Sequence, residues 1–388
     1  MVSDLQKMQQ AKKKLYISQK SVGSLLKTAK KRGNFLMANV DISKLQAQFL
    51  RGIEDVMPAN SSLVNELSDV LEISSDSAYR RMRGETLLTI EDIVKLCEHF
   101  QLSFDAFSKV KLGMVTFNYS PLDATAESFA AYLNDTLKDI KTIASAGDPR
   151  IMYACQDIPL FYHYNYPVLA NFKIFYWMRT IMNLPDLNRL KFDADSQFPE
   201  LLEIGKAIYD TYVQVPSVEI WTQSTIESTL MQISFYWDSG IFESKEDALR
   251  VCAELSKEIE DFQQRAEASS KQDDVFNSEE KAEPTEIAEA TDEVKNYQLY
   301  ISEIELTNNC VLVNIGGTQA VYLGHFSFNT MVTRNHTYCK KTENWLNNII
   351  KKSTLISGAA EKQRFQFFQN ALVRIDDLMN RINEDAKK

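Results

Sequence analysis

Three arginines stand almost side by side in the run Ser75-Asp76-Ser77-Ala78-Tyr79-Arg80-Arg81-Met82-Arg83. A guanidinium can fork onto a guanine edge or clamp a phosphate, so arginines on a short helix point to nucleic-acid recognition. On a wheel of about 100° per residue, Ala78 and Met82 face one way, and Asp76, Ser77, Arg80 and Arg83 the other. The bland alternative is a helical hairpin whose arginines are solvated.

Little else in the chain is reactive. Cys97, Cys155, Cys252, Cys310 and Cys339 are scattered and form no CxxC pair, which argues for a reducing cytoplasm and against a disulfide frame or zinc site. His163 and His325 have no Cys or acid at metal-ligand spacing. No GxSxG elbow, Walker-type loop or GxGxxG fingerprint occurs. Gly316-Gly317 reads as a hairpin turn rather than an anion cradle, and Asp157 as a loop acid rather than a ligand-site residue. No catalytic residue, metal or cofactor is expected, and the chain is not read as an enzyme. The aromatic run from Phe161 to Trp177 is the best place for a ligand pocket, with Phe161, Tyr164, Tyr166, Phe175 and Trp177 as candidate lining. The competing reading makes these rings core.

The elements that would carry the arginines are legible. Leu63, Val64, Leu67, Val70 and Leu71 repeat at three and four, one apolar helical face. Ser74 and Ser75 offer N-cap oxygens for the arginine helix, and Gly84 stops it. Thr89 opens a further helix with Asp92 in capping-box spacing, and Ile90, Ile93, Val94, Cys97 and Phe100 are its expected inner face. Asp41 to Val56 forms a helix before them, ended by Pro58.

The stretch from Leu63-Val64-Asn65-Glu66-Leu67 through Arg80-Arg81-Met82-Arg83-Gly84-Glu85 to Thr89-Ile90-Glu91-Asp92-Ile93 resembles the Cro-type (XRE) helix-turn-helix family of transcriptional regulators. The resemblance covers roughly residues 40–110. It implies a small helical bundle that binds double-stranded operator DNA, usually as a dimer. It also implies base contacts at Ser75, Asp76 and Arg80, and backbone contacts at Tyr79, Arg81 and Arg83. Glu72 departs from the pattern, because the family usually has Gly in that turn. More distantly, Ala154-Cys155-Gln156-Asp157-Ile158-Pro159-Leu160-Phe161 and Lys352-Ser353-Thr354-Leu355-Ile356-Ser357-Gly358 resemble the long C-terminal extensions of such regulators in Bacteroidetes-type bacteria. That likeness implies no activity.

The net charge of −10 is unusual for a DNA-binding chain, but its distribution explains part of it. Residues 1–36 hold nine Lys/Arg against the single acid Asp4 and read as a basic, flexible arm. Met37 directly precedes the first family-like helix and is an alternative start. With so much acid elsewhere, non-specific DNA affinity should be low.

Residues 112–388 read as one mixed α/β domain for dimerisation and for sensing a small-molecule or protein effector. Helices are expected at 124–144, 199–213, 225–236, 246–265, 336–352 and 360–382, a short β-prone run at 114–119, and strands at 150–158, 218–221, 297–306, 309–314 and 320–323, the last ones an antiparallel meander. Acidic residues crowd 266–296, which reads as a disordered insert. Phe365, Phe368, Leu372, Ile375, Leu378, Met379 and Ile382 make a stripe that must be buried, either on the domain's own core or in a homodimer seam. No apolar run reaches the ~18 residues of a membrane span, so no membrane partner is expected. The chain thus reads as a multidomain protein, a small all-α helix-turn-helix bundle (37–110) before a large mixed α/β domain, acting as a DNA-binding regulator. Two alternatives are a protein-interaction module whose motif has lost DNA and a DNA-tethered enzyme.

Overall fold

The computed structural model describes residues 41–54, 57, 61–100, 102, 115–196, 198–272, 295–325 and 328–385. These fall into two compact units, 41–102 and 115–385. The basic arm and most of the acidic insert lie outside the described residues.

The smaller unit is all helical: α1 (Ile42–Glu54), α2 (Leu63–Leu71), α3 (Ser75–Met82) and α4 (Ile90–His99). Its core is Phe49, Leu50, Ile53, Leu63, Val64, Leu67, Leu71, Ala78 and Leu96. The caps follow the sequence chemistry. Ser74 Oγ accepts from the Ser77 N–H, and Thr89 and Asp92 form a reciprocal capping box. One expectation fails on α4: Ile90 and Val94 are exposed, and Leu96 takes the inner position. A ten-residue helix with apolar residues nearly all round has no unique inner face until its neighbours choose one.

The larger unit is a mixed α/β fold built on one eight-stranded sheet. Its strands are β1 (Asn118–Tyr119), β2 (Arg150–Ala154), β3 (Ser217–Trp221), β4 (Tyr297–Ile301), β5 (Cys310–Ile315), β6 (Thr318–His325), β7 (Asn329–Thr333) and β8 (Thr354–Leu355). Their order is β1-β7-β6-β5-β2-β3-β4-β8. β2, β3 and β4 run parallel, and β5, β6 and β7 form an antiparallel meander. Parallel neighbours need long crossovers. Those crossovers carry α6 (Leu160–His163), α7 (Pro167–Tyr176), α8 (Pro199–Tyr212), α9 (Glu227–Asp238) and α10 (Lys245–Ala268). Before β2 comes α5 (Ala126–Ala144), and α11 (His336–Ile350) and α12 (Glu361–Asp385) follow the meander.

Strand alternation divides the core. Met152, Ala154, Val218, Ile220, Leu312 and Val321 pack with Cys339, Leu346 and Ile349 of α11 on one face. Ile151, Tyr153, Trp221, Leu299 and Val313 join the larger helical layer on the other. Gly316 and Gly317 have φ of +58° and +96°, the two left-handed residues of a tight hairpin between β5 and β6.

Two further expectations are corrected. α10 runs to Ala268, and Ser269, Ser270, Lys271 and Asn296 are buried, so the acidic stretch is part of the fold at both ends. The α12 stripe is buried within the chain, with Phe368, Ile375 and Ile382 fully covered, but Phe365 is exposed and Phe367 is buried instead. No described helix is long and apolar enough to cross a membrane.

Candidate functional site

Among the described residues three places could carry function: the outer face of α3, the polar interior of the larger unit, and a cleft under α5.

On α3, Ser75, Asp76, Tyr79, Arg80 and Arg83 are all exposed. The chain reaches this helix through Glu72, whose φ of 56° and ψ of 44° are left-handed, and its N–H caps α2 on the Ser68 carbonyl. The bend between α2 and α3 is thus made by a residue with a Cβ, at some conformational cost. Arg80 pairs with Asp76 at 3.1 Å and Arg83 with Glu85 at 2.7 Å, all on the surface. Such solvent-screened pairs are weak, so either guanidinium can leave its partner cheaply. Arg81 is placed differently. It turns inward to Asp92 at 3.3 Å, and both side chains are largely covered. Gln46, buried on α1, fastens the same region: its amide donates to the Arg81 and Thr86 carbonyls and accepts from the Leu88 N–H.

The interior of the larger unit holds charge the sequence did not advertise. Glu219, in the centre of β3, is fully buried and accepts hydrogen bonds from the Tyr162, Tyr212 and Tyr297 hydroxyls and the Trp221 indole. Burial pushes all three tyrosine hydroxyls well up, so they remain donors. Arg265 is fully buried beside them, donating to Tyr209 at 2.9 Å, with its guanidinium over the Tyr162 ring. Lys271 donates to the Tyr212 carbonyl at 2.7 Å and stands 3.8 Å from the centroid of the Tyr212 ring. Desolvation lowers its ammonium to about 7. Lys173, bonded to Thr229 and Gln232, is lowered to about 8 for the same reason. His163 contacts the buried Glu258 at 3.0 Å. Burial pushes the Cys155 thiol well up, away from thiolate chemistry. These groups lie buried among packed rings, the setting of a structural polar core. Among the described residues no group of His, Cys, Asp and Glu is arranged to hold a metal ion.

The aromatic run proves to be mostly core. Tyr164, Tyr166, Phe175 and Trp177 are each at most 5% exposed. Tyr164 lies against Gly205 of α8, Tyr166 donates to Asp261 at 2.6 Å, Phe175 packs edge-on to Phe192, and Trp177 packs on Phe328. Of the five candidates, Phe161 lines a cavity.

That cavity, about 290 Å³, lies between α5 and the β2-β5-β6-β7 part of the sheet. Its walls are mainly apolar, and Tyr132, Tyr153 and Tyr322 bring phenol rings to it. Tyr132 donates to the Phe328 carbonyl at 2.7 Å and Tyr322 to Asp139 at 3.1 Å. Loss of water holds the Asp139 carboxyl above the usual carboxylate range, although the Tyr322 hydroxyl and the Arg334 charge oppose this. Sequence periodicity could not reveal the cleft, since its walls come from strands and a helix far apart in the chain. No family model matches the chain, and no curated protein or solved structure shows significant similarity to it.

Proposed function

We propose that the chain is a sequence-specific DNA-binding regulator in which α2 and α3 act as a helix-turn-helix. The observation that carries this reading is the outer face of α3, where Arg80 and Arg83 are exposed and held only by surface ion pairs, while Ala78 anchors the helix inside. On this reading α3 enters a major groove, Arg80 with Ser75 and Asp76 reads base edges, and Arg83 and Tyr79 contact the backbone. Arg81 serves as a strut. The larger unit senses an effector and pairs two copies. The α12 stripe is already occupied within the chain, so the pairing surface lies elsewhere.

A second reading, a protein-interaction module, draws on charge. Residues 41–102 hold six Lys/Arg against eleven Asp/Glu, a poor footprint for phosphate binding. Selection of bound fragments from a random double-stranded DNA pool, followed by salt titration, separates the two. An enriched sequence whose affinity falls with salt supports the regulator. Absence of enrichment at low salt leaves the interaction module. Sedimentation of the full chain at tens of micromolar tests the homodimer.

A further inference from the structure

We propose that the cleft under α5 is a binding site for a small organic amine: an apolar body with one ammonium group.

The cavity is a built space. At about 290 Å³ it holds roughly ten water volumes, enough for a small molecule. Ile140, Ile151 and Val313 give it apolar walls that water hydrates poorly. Its polar groups are few, and their sign is uniform. Among the described residues that line it, Asp135 and Asp139 are the only charged side chains. They stand one turn apart on α5 and so share a face. An anionic ligand would meet two carboxylates and no lining cation, whereas an ammonium would meet its counter-charge at the solvent-facing rim of the cleft, where both acids are exposed.

Tyr153 supplies an independent sign of a ligand. Its residue is only 5% exposed and lines the cavity, yet its hydroxyl has no hydrogen-bond partner among the described residues. The hydroxyl oxygen itself keeps access to the cavity, so a bound molecule can reach it. Tyr132 and Tyr322, by contrast, spend their hydroxyl protons on protein acceptors. A ligand N–H reaching Tyr153 would satisfy the remaining oxygen. The phenol rings around the space also favour a cation over a neutral body of the same shape.

The test is calorimetric titration of the full chain with three probes of one shape: 2-phenylethylamine, 2-phenylethanol and 3-phenylpropionate. The amine should bind at least tenfold more tightly than the other two. The double substitution Asp135→Asn with Asp139→Asn should erase that preference and leave the alcohol's affinity unchanged. Tyr153→Phe should weaken the amine severalfold, and an unchanged melting temperature in each variant shows the fold intact. Equal binding of the acid or alcohol, wild-type amine affinity in the double variant, or no amine binding at millimolar concentration overturns the proposal. DNA plays no part in this readout, so its failure leaves the DNA-binding reading standing, and the reverse also holds.

Discussion

Arg81 Nε lies 3.3 Å from Asp92 Oδ2, and the same carboxylate oxygen accepts the Thr89 N–H at 3.0 Å. One acid thus caps α4 and ties it to α3. Of the three arginines, only this one is spent on the fold. Arg81→Ala would leave a largely covered carboxylate short of a partner, at about 1–3 kcal/mol. Hydrogen exchange across α3 and α4 should therefore speed up in Arg81→Ala and stay unchanged in Arg80→Ala and Arg83→Ala. In DNA binding the order reverses: Arg80→Ala should lose about 1–3 kcal/mol at one base position, and Arg83→Ala should weaken all sequences and flatten the salt slope by about one. Wild-type exchange in Arg81→Ala would return that residue to the DNA face.

Glu72 sits at φ 56°, where a side chain costs about 1–2 kcal/mol. Glycine adopts this conformation freely but adds about 0.5–1 kcal/mol of unfolded-state entropy. The difference favours glycine. Glu72→Gly should stabilise the smaller unit by about 0.5–1 kcal/mol, read as slower exchange of its most protected amides. A destabilised variant would show that the glutamate side chain makes a contact worth more than the strain.

A Cβ on Gly205 would stand 2.4 Å from Tyr164 Cδ1, and Tyr164 is buried with no room to swing. Gly to Ala in a helix ordinarily gains about 1 kcal/mol. Overpacking of a buried ring costs about 1–3 kcal/mol and should win here. Gly205→Ala is expected to lower the melting temperature of the larger unit, and Tyr164→Leu in the same chain to restore part of the loss. A rise in melting temperature for the single variant would mean that α8 and the Tyr164 segment are not held together this tightly.

Local signals in the sequence were reliable where one residue decides the geometry. The Thr89/Asp92 box forms, and the Gly316-Gly317 hairpin turns where expected. Signals that depend on phase were less so. The α12 spacing names a stripe but not its exact azimuth, so Phe365 and Phe367 exchange places. Strand β8, two residues long, is too short to show alternation, and β7 was not anticipated. Expecting 297–306 as strand overshot, because β4 ends at Ile301. The polar core was invisible for another reason. A lone Glu, Arg or Lys reads as solvated, and Glu219, Arg265 and Lys271 acquire partners only when β3, β4 and the helical layer meet. Lys271 even lay within the stretch expected to be a disordered acidic insert.

Lys271 supplies the pH signature of that core. Its ammonium is lowered from 10.5 to about 7, desolvation outweighing the favourable charge of Glu219. The folded chain therefore releases this proton near pH 7, whereas the unfolded chain keeps it until about pH 10.4. Between those limits the unfolded state binds more protons, so stability rises with pH. Below pH 7 both states are charged, and the full cost of burying the ammonium is felt. Lys173, lowered to about 8, acts in the same direction over a narrower window. Tyrosines oppose them only above about pH 10, because their raised values make the folded state the proton-rich one there. The usable window is thus pH 7 to 9.5. Denaturant unfolding there should show a stability slope in the wild type steeper than in Lys271→Met by up to about 1.4 kcal/mol per pH unit. Lys271→Met should itself be more stable than the wild type at pH 6, where the buried charge is largest. Identical slopes in the two chains would mean that this ammonium keeps an ordinary affinity for its proton.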